Sequence, residues 1–251
     1  MAVKRSLSAT RMLKVFETVV RTQPSGVTAI AAALGADKSA VQRDLMTLAD
    51  AGWIRPAPDS QGRWELTPHI MTLAQPPHSS DSLRRRAKPA MERLRTDTGE
   101  TVYLAVPHAG HFVVIEALES PHILRMVPAI GMPIHVTGTA TSRAVFAHMT
   151  QEAISEHFGA DHAGLSLEEK EQTLRRGYTI NDGDIVPGSV TMASAILSDQ
   201  PMPLGAVVIT GPADRFPPDR RETLGRKLHD CAMSLSTSRV TDAEAVLASE
   251  F

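Results

Sequence analysis

The sequence predicts an α+β protein whose two domains are joined by a linker helix, and three observations support this. Residues 6–50 carry apolar side chains at helical spacing and precede two short strand-like segments. Residues 74–82, AQPPHSSDS, are rich in proline and serine, which is typical of a linker. From residue 100 onward, strand-like and helical segments follow one another as in an α+β domain. With 251 residues, 42% of them hydrophobic, both parts can bury a core.

The first 36 residues predict two helices. Residues 6–22, SLSATRMLKVFETVVRT, form the first, which QPSG ends because proline and glycine disfavour a helix interior. Its expected buried side chains are Leu7, Met12, Phe16, Val19 and Val20. A shorter helix follows in VTAIAAALGA, with Thr28 as its candidate N-cap and Gly35 as its candidate C-terminal stop.

Residues 37–54, DKSAVQRDLMTLADAGWI, predict a third helix with two different faces. Asp37 is the candidate N-cap. At about 100° per residue an apolar stripe forms from Val41, Leu45, Leu48 and Ala49. The opposite stripe carries Ser39, Gln42, Arg43, Met46 and Asp50. Two helices joined by a tight turn at Gly35, after a first helix, give the helix-turn-helix layout.

Two short strands are predicted directly after the third helix. They are Trp53–Ile54 and Trp64–Leu66, separated by DSQG, which has turn chemistry. A hairpin at this place is a wing, from which Arg55 and Arg63 are expected to project. The first domain is therefore a predicted winged helix-turn-helix, with the third helix as its base-contacting element.

The remaining elements predict a linker helix and a second domain. In residues 82–99, Leu83, Ala87, Met91 and Leu94 share one helix face, and Gly99 ends the helix. We expect that face to contact a partner helix or the winged domain. The expected boundaries are 1–75 for the winged domain, 76–98 for the linker and its helix, 99–236 for the second domain and 237–251 for a C-terminal tail. The expected elements of the second domain are two strands in 100–120, a strand in 123–130, helices in 139–158 and 165–177, two strands in 190–212 and a closing helix in 217–239.

Charge divides unevenly along the chain. Residues 1–75 and 76–98 each carry a net charge of +3, whereas residues 99–251 carry −8. Only the front of the chain is therefore suited to a polyanion. The single cysteine, Cys231, excludes an intrachain disulfide framework and predicts a buried structural thiol. The sequence has no apolar run of about 18 residues and no secretory h-region, so we expect a cytoplasmic protein without a membrane span.

The donor-rich face of the third helix predicts contact with DNA. Arg43 can donate two hydrogen bonds to a guanine edge, and Gln42 can pair with adenine. Lys38 and Ser39 lie at the helix N-terminus, where phosphates are favoured. The alternative, an idle solvent-exposed face, is disfavoured by the flanking helix and wing. The candidate DNA-contacting residues are Ser8, Arg11, Thr28, Lys38, Ser39, Ala40, Gln42, Arg43, Arg55 and Arg63.

Metal binding and catalysis find little support. His157, Asp161 and His162 lie close together in sequence, as do His108 and His111, but neither group has the HExxH spacing. Nucleophile-elbow and phosphate-loop motifs are also missing from the sequence. We therefore expect no catalytic residue, no metal and no cofactor.

The order of five segments resembles the IclR family of bacterial transcriptional regulators over nearly the whole chain. These segments are DKSAVQRDLMTLADAGWI, DTGETVYLAV, GMPIHVTGTATSRA, RRGYTINDGDIVPGSVTMASAI and VVITGP. The resemblance implies a winged helix-turn-helix, a linker helix and a GAF-like effector domain. It also implies a homodimer through the N-terminal part, often a homotetramer through the C-terminal part, and a small organic or aromatic acid as effector.

The effector pocket rests on this resemblance, since spacing alone would not single out its residues. The expected pocket comprises Leu104, Met126, Thr137, Gly138, Thr139, Asn181, Thr191, Val208 and Thr210. Several depart from the family pattern: Thr137 replaces a His, Asn181 an Asp, Thr191 a Cys and Val208 a Ser. Because Asn181 removes a negative charge and β-branched side chains are stiff, we expect a small carboxylate or a compact polar aromatic.

These observations predict a ligand-responsive, sequence-specific DNA-binding regulator that recognises a partly palindromic operator. Two alternatives remain open. One is a small-molecule enzyme built on the C-terminal domain, and the other is a winged-helix module that mediates protein contacts.

Overall fold

The computed structural model describes residues 5–74 and 83–237. Contacts divide the chain into two compact units, Met1–Ser79 and Ser80–Phe251. The expected linker start, residues 76–82, and the tail from residue 238 lie outside the described residues. The linker helix belongs to the second unit.

The first unit is a winged helix-turn-helix, as the sequence predicts. Its three strands form an antiparallel sheet in the order β1-β3-β2. The elements in chain order are α1 (Leu7–Thr22), β1 (Ser25–Gly26), α2 (Val27–Leu34), α3 (Lys38–Asp50), β2 (Ile54–Pro56), β3 (Arg63–Leu66) and α4 (His69–Ala74). β1 and α4 were not expected, because a two-residue strand and a six-residue helix are too short to show a period.

Helix ends in the first unit follow from named residues. Gly35 ends α2 in the left-handed conformation at φ 58°, as expected of a C-terminal glycine. The expectation that Thr28 caps α2 is wrong, because the helix begins at Val27 with Gly26 as its N-cap. Leu7 is also not in the core: it is 83% exposed at the start of α1. Val15, one turn before Val19, takes the core position instead.

The core of the first unit joins all three main helices to the wing. Trp64 from β3 closes it, and Trp53 packs edge-on against Phe16 at 5.3 Å between ring centroids. The buried core residues are Val15, Val19, Ile30, Ala31, Val41, Leu45, Leu48, Ile54 and Trp64. Both tryptophans of the chain therefore lie in this unit.

The second unit is an α+β domain built on one antiparallel sheet of six strands, in the order β6-β5-β4-β9-β8-β7. Its elements are α5 (Leu83–Thr98), β4 (Thr101–His108), β5 (His111–Leu118), β6 (Pro133–Ile134), α6 (Ala140–Phe146), α7 (Gln151–Phe158), α8 (Leu167–Arg176), β7 (Thr179–Asp182), β8 (Ser189–Ile196), β9 (Gly205–Pro212), a 3-10 turn (Ala213–Arg215) and α9 (Pro218–Leu235).

Each face of this sheet buries its own core. One face packs against α5 and α9, with Val102, Leu104 and Met192 among its buried side chains. The other packs against α6 and α7, where Val208 and Ala193 are buried. Successive strand residues alternate between the two faces, so the sheet position of a side chain decides which core it joins.

The linker helix α5 corrects one expectation. Ala87, Met91 and Leu94 are buried, but their neighbours are α9 and the sheet of the same unit. They therefore do not face a partner helix or the winged domain, and their burial carries no argument for a dimer. The spacing located the apolar face correctly but could not identify what covers it.

Three elements of the second unit differ from expectation. Residues 123–130 are irregular, with Ile123 99% exposed, and the strand comes later as β6. Pro128 donates no ladder hydrogen bond, which disfavours a strand there. The expected helix over 139–158 is two helices, because Thr150 caps α7 with its hydroxyl accepting from the Ala153 N–H. The strand β7 was not expected.

A buried carboxylate links the α5–β4 junction to the 3-10 turn and to α9. Glu100 is fully buried, and its Oε2 lies 2.8 Å from Nη2 of Arg215. Arg220 adds a contact of 3.5 Å to the other oxygen. A Cβ on Gly211 would sit 2.6 Å from Glu100 Oε2, so only glycine leaves room for this pair.

Candidate functional site

The exposed face of α3 is the strongest candidate nucleic-acid surface. Ser39, Gln42 and Arg43 are exposed together, with Val41 and Leu45 buried on the opposite side. In the part of the chain that the structure describes, the side chains of Gln42 and Arg43 form no hydrogen bond or ion pair, which leaves their donors available for an external acceptor.

The N-terminus of α3 is capped as predicted. Asp37 Oδ1 accepts from the N–H groups of Ser39 and Ala40 at 2.9 and 3.1 Å, and from the Ser39 hydroxyl at 2.5 Å. The Ser39 hydroxyl and then the Ala40 N–H lower the pKa of Asp37. The proton of Ser39 is thus committed to the cap, while its oxygen can still accept a hydrogen bond. Lys38 is exposed beside it.

The prediction that Ala40 contacts DNA is wrong. Its side chain is 8% exposed and packs on the core side of α3. The residue precedes Val41, and the buried arc of the helix is wide enough to include it. The same arc contains Asp44, a buried carboxylate that the sequence analysis did not single out. Its position three residues after Val41 was the available signal.

Asp44 has an internal partner in Arg11 of α1. The Arg11 Nε lies 2.7 Å from Asp44 Oδ2, and Nη2 lies 3.3 Å from Oδ1. The hydrogen bond to Asp44 raises the pKa of Arg11. A phosphate would have to compete with this two-point contact, so the pair orients α3 against α1.

The remaining cations of the wing differ in availability. Arg55 pairs across the hairpin with Glu65, at 2.8 Å between Nε and Oε1. Arg63 is exposed and, within the described ranges, has no ion-pair partner. Ser8 and Thr28 are exposed in the first turns of α1 and α2. Arg63 is therefore the wing residue best placed for a phosphate.

In the second unit, three predicted pocket residues form one polar row. Asn181, Thr191 and Thr210 are directly paired on neighbouring strands, so their side chains share a face of the sheet. The hydroxyls of Thr191 and Thr210 lie 2.9 Å apart. Asn181 and Thr210 are buried, whereas Thr191 is half-buried. Thr101 extends the row on β4.

The segment before α6 meets this row at one point. Asn181 Nδ2 donates to the carbonyl of Gly138 at 2.8 Å. Thr139 caps α6 through its side chain, and Thr137 is exposed. A cleft of about 320 Å³ borders Thr137 and Gly138. The structure thus brings the predicted residues together in two groups that Asn181 connects.

One expected wall residue, Leu104, does not fit this geometry. Leu104 is buried on the opposite face of the sheet, in the core beside α5 and α9, so it cannot line the pocket. Successive residues of a strand point to opposite faces of the sheet, and Leu104 points to the face opposite the polar row. Met126 is half-buried in the irregular segment that was predicted as a strand. Val208, by contrast, lies on the face of Thr210.

The charges around the cleft were not foreseen. Arg143 lines it, together with Asp161 and Glu169. Asp184 accepts from Asn181 Nδ2 at 3.2 Å and lies 3.6 Å from Arg143 Nη2. The negative charge that Asn181 removes is therefore supplied three residues later. An acid ligand would have to replace Asp184 as the partner of Arg143, since Asp161 and Glu169 are the other charged carboxylates nearby.

The described ranges 5–74 and 83–237 contain neither a metal-binding cluster nor a membrane-spanning helix. No three His, Cys, Asp or Glu residues are placed there to hold a metal ion. Nor does that part of the chain contain a helix long and apolar enough to cross a membrane. Cys231 is buried, as predicted, and burial raises the pKa of its thiol to about 11.

A winged helix-turn-helix with a free donor row, joined to a separate α+β unit, defines a transcription factor with a regulatory domain. The family model described as "IclR helix-turn-helix domain" matches residues 8–58. The one described as "Bacterial transcriptional regulator IclR C-terminal" matches residues 78–237. The chain belongs to the IclR family of bacterial transcriptional regulators, as its sequence predicts.

Named relatives share most of their length with this chain. The transcriptional repressor IclR of Escherichia coli is 27% identical over 87% of this chain and 84% of its own. The acetate operon repressor of Salmonella typhimurium is 29% identical over the same shares. The glycerol operon regulatory protein of Streptomyces griseus is 26% identical over 84% of this chain and 87% of its own.

Solved structures share the fold. An IclR transcriptional regulator from Alicyclobacillus acidocaldarius superposes with a TM-score of 0.78 at 19% identity, covering 93% of this chain and 98% of that one. The IclR of Thermotoga maritima gives a TM-score of 0.68 at 18% identity, covering 91% and 96%. The fold class, a winged helix-turn-helix with a linker helix and a GAF-like α+β domain, is therefore confirmed.

Proposed function

We propose that this protein is a ligand-responsive transcriptional regulator that binds a partly palindromic double-stranded DNA site. The observation that carries the proposal is the exposed pair Gln42 and Arg43 on α3, next to a wing with a free Arg63. The names of the relatives, two of them repressors, support the same function. A homodimer, or a homotetramer of two such dimers, would present two copies of α3 to the two half-sites.

A gel-shift titration on the upstream region of the protein's own gene tests DNA binding. Affinity should fall steeply as salt rises, because lysine and arginine contacts release counterions from the duplex. Light scattering on the intact chain should give the mass of a dimer or a tetramer. Failure to bind there and in a random-site selection would contradict the proposal and favour a protein-interaction module.

We further propose a small organic or aromatic acid as the effector, held near Thr137, Gly138 and Arg143. Arg143 lines the cleft and supplies the cation, and Asn181 connects Gly138 of the cleft to the uncharged polar row of Thr191 and Thr210. Binding would alter DNA affinity only to the extent that it differs between the two states of the regulator. The protein acts without catalysis on this proposal, and it works where bacterial DNA lies, in the cytoplasm. Turnover of any candidate metabolite by purified protein would instead favour the enzyme alternative.

A further inference from the structure

A second cleft lies on the opposite face of the sheet from the polar row. It has a volume of about 580 Å³ and is formed where α8 ends and α9 begins. Ile180 lines it, whereas the next residue on the strand, Asn181, belongs to the polar row, so the two sites face away from each other. The lining residues are Arg175, Arg176, Tyr178, Ile180, Pro218, Arg221, Glu222 and Arg226.

Two of the four arginines in this cleft have ion-pair partners. Arg221 Nη2 lies 2.8 Å from Asp182 Oδ2, and its Nε donates to the carbonyl of Phe216 at 2.8 Å. Arg226 pairs with Glu222, one turn earlier in α9. The two contacts of Arg221 fix its guanidinium group before any ligand arrives, which lowers the entropy cost of binding. The pair of Arg226 with Glu222 is exposed to solvent and holds Arg226 only weakly.

The other two arginines are uncompensated. Arg175 and Arg176 are exposed at the end of α8, and neither forms an ion pair with another residue that the structure describes. Counting Glu222 and Asp182 against the four arginines leaves two excess positive charges around the cleft. This excess stands out because residues 99–251 carry a net charge of −8. An anion bound here would relieve repulsion between the guanidinium groups.

We propose that this cleft binds a small multivalent anion that carries phosphate or carboxylate groups. Guanidinium groups bind both through paired hydrogen bonds, and two excess charges match a ligand of charge −2 or more. The cleft volume suits a compact metabolite, and Tyr178, Ile180 and Pro218 give it an apolar side. The site is independent of the proposed effector cleft at Thr137.

Isothermal titration of the full chain with inorganic tripolyphosphate and with citrate tests this proposal. The double variant R175Q/R176Q should weaken binding of at least one probe tenfold or more while leaving the thermal unfolding midpoint unchanged. The matched control is K14Q/R21Q, which removes two exposed cations from α1 of the winged unit and should leave that binding unaltered. Preference for tripolyphosphate or for citrate identifies the phosphate or the carboxylate as the ligand group.

Two results would overturn the proposal. The first is that neither probe binds the wild-type chain at millimolar concentration. The second is that K14Q/R21Q weakens binding as much as R175Q/R176Q, since the anion would then respond only to overall charge.

Discussion

Arg11 of α1 binds both carboxylate oxygens of Asp44 of α3, at 2.7 Å from Nε to Oδ2 and 3.3 Å from Nη2 to Oδ1. The pair links the first helix of the winged unit to its base-contacting helix. Arg11, which the sequence predicts as a DNA contact, instead helps to set the angle between α1 and α3. Its strength is moderated by water, because the Arg11 side chain is 34% exposed.

We predict that Asp44→Ala lowers the free energy of unfolding of the winged unit by about 1–3 kcal/mol, the range for a lost hydrogen bond to a charged group. Urea unfolding followed by tryptophan fluorescence measures this selectively, because Trp53 and Trp64 both lie in that unit. Glu17→Ala is the control, since Glu17 pairs with Arg21 at 3.8 Å on the surface. Equal effects of both variants would contradict the positioning role.

Substitution of a base-contacting residue should change sequence preference, whereas substitution of a phosphate-contacting residue should lower the affinity for every sequence. Arg43→Ala should relax sequence preference at one position of each half-site, costing about 1–3 kcal/mol if the contact is bidentate. Arg63→Ala should weaken all sequences by a similar factor and reduce the salt dependence of binding. Competition binding with a set of single-base operator variants distinguishes them. A uniform loss in Arg43→Ala would exclude Arg43 as a base-contacting residue.

The effector site is tested through its polar row. Thr191→Val, Thr210→Val and Asn181→Ala should each lower the affinity for an effector found in a metabolite panel, because each removes a polar group from the row that Asn181 connects to the cleft. Arg143→Gln should weaken acids more than neutral analogues. Thr223→Val, on the exposed side of α9, is the control. Affinity that is unchanged in all four site variants would mean that the site lies elsewhere.

Removal of the Glu100 carboxylate should lower the free energy of unfolding more than removal of a surface glutamate. Glu100→Ala leaves Arg215 and Arg220 without their buried partner, and we expect a loss of about 2–4 kcal/mol, below the full cost of breaking a buried pair because both arginines reach solvent. Glu119→Ala, whose partner Arg125 is at 2.8 Å on the surface, should cost under about 1 kcal/mol. Thermal unfolding followed by circular dichroism compares the two variants.

Cys231 should resist thiol reagents in the native protein. With its pKa raised to about 11 by burial, only about 0.1% of the thiol is ionised at pH 8, and the thiolate is the reactive form. Ellman's reagent should therefore react slowly at pH 8 and should titrate one thiol per chain after denaturation. Because ionisation becomes easier as pH approaches the pKa, the native rate should rise with pH. Rapid native reaction at pH 8 would show that the thiol is accessible.

The sequence by itself determined the elements whose signals are local. Asp37 and Gly35 mark helix ends through their own backbone preferences, and the α3 stripe of Val41, Leu45 and Leu48 follows from helical geometry. Arg43 and Gln42 could be named as exposed donors for the same reason. Five ordered motifs were sufficient to identify the family.

Tertiary structure alone decided what lies opposite each surface. The apolar face of α5 was correctly located, but only the fold shows that α9 covers it. Leu104 and Thr210 were assigned to one pocket, although strand alternation sends Leu104 to the other core. The pairing of Arg11 with Asp44, and the gathering of Arg175 with Arg221, join residues distant in sequence. The hydrophobic period along one helix or strand shows which of its faces is buried, whereas a contact depends on the positions of two elements.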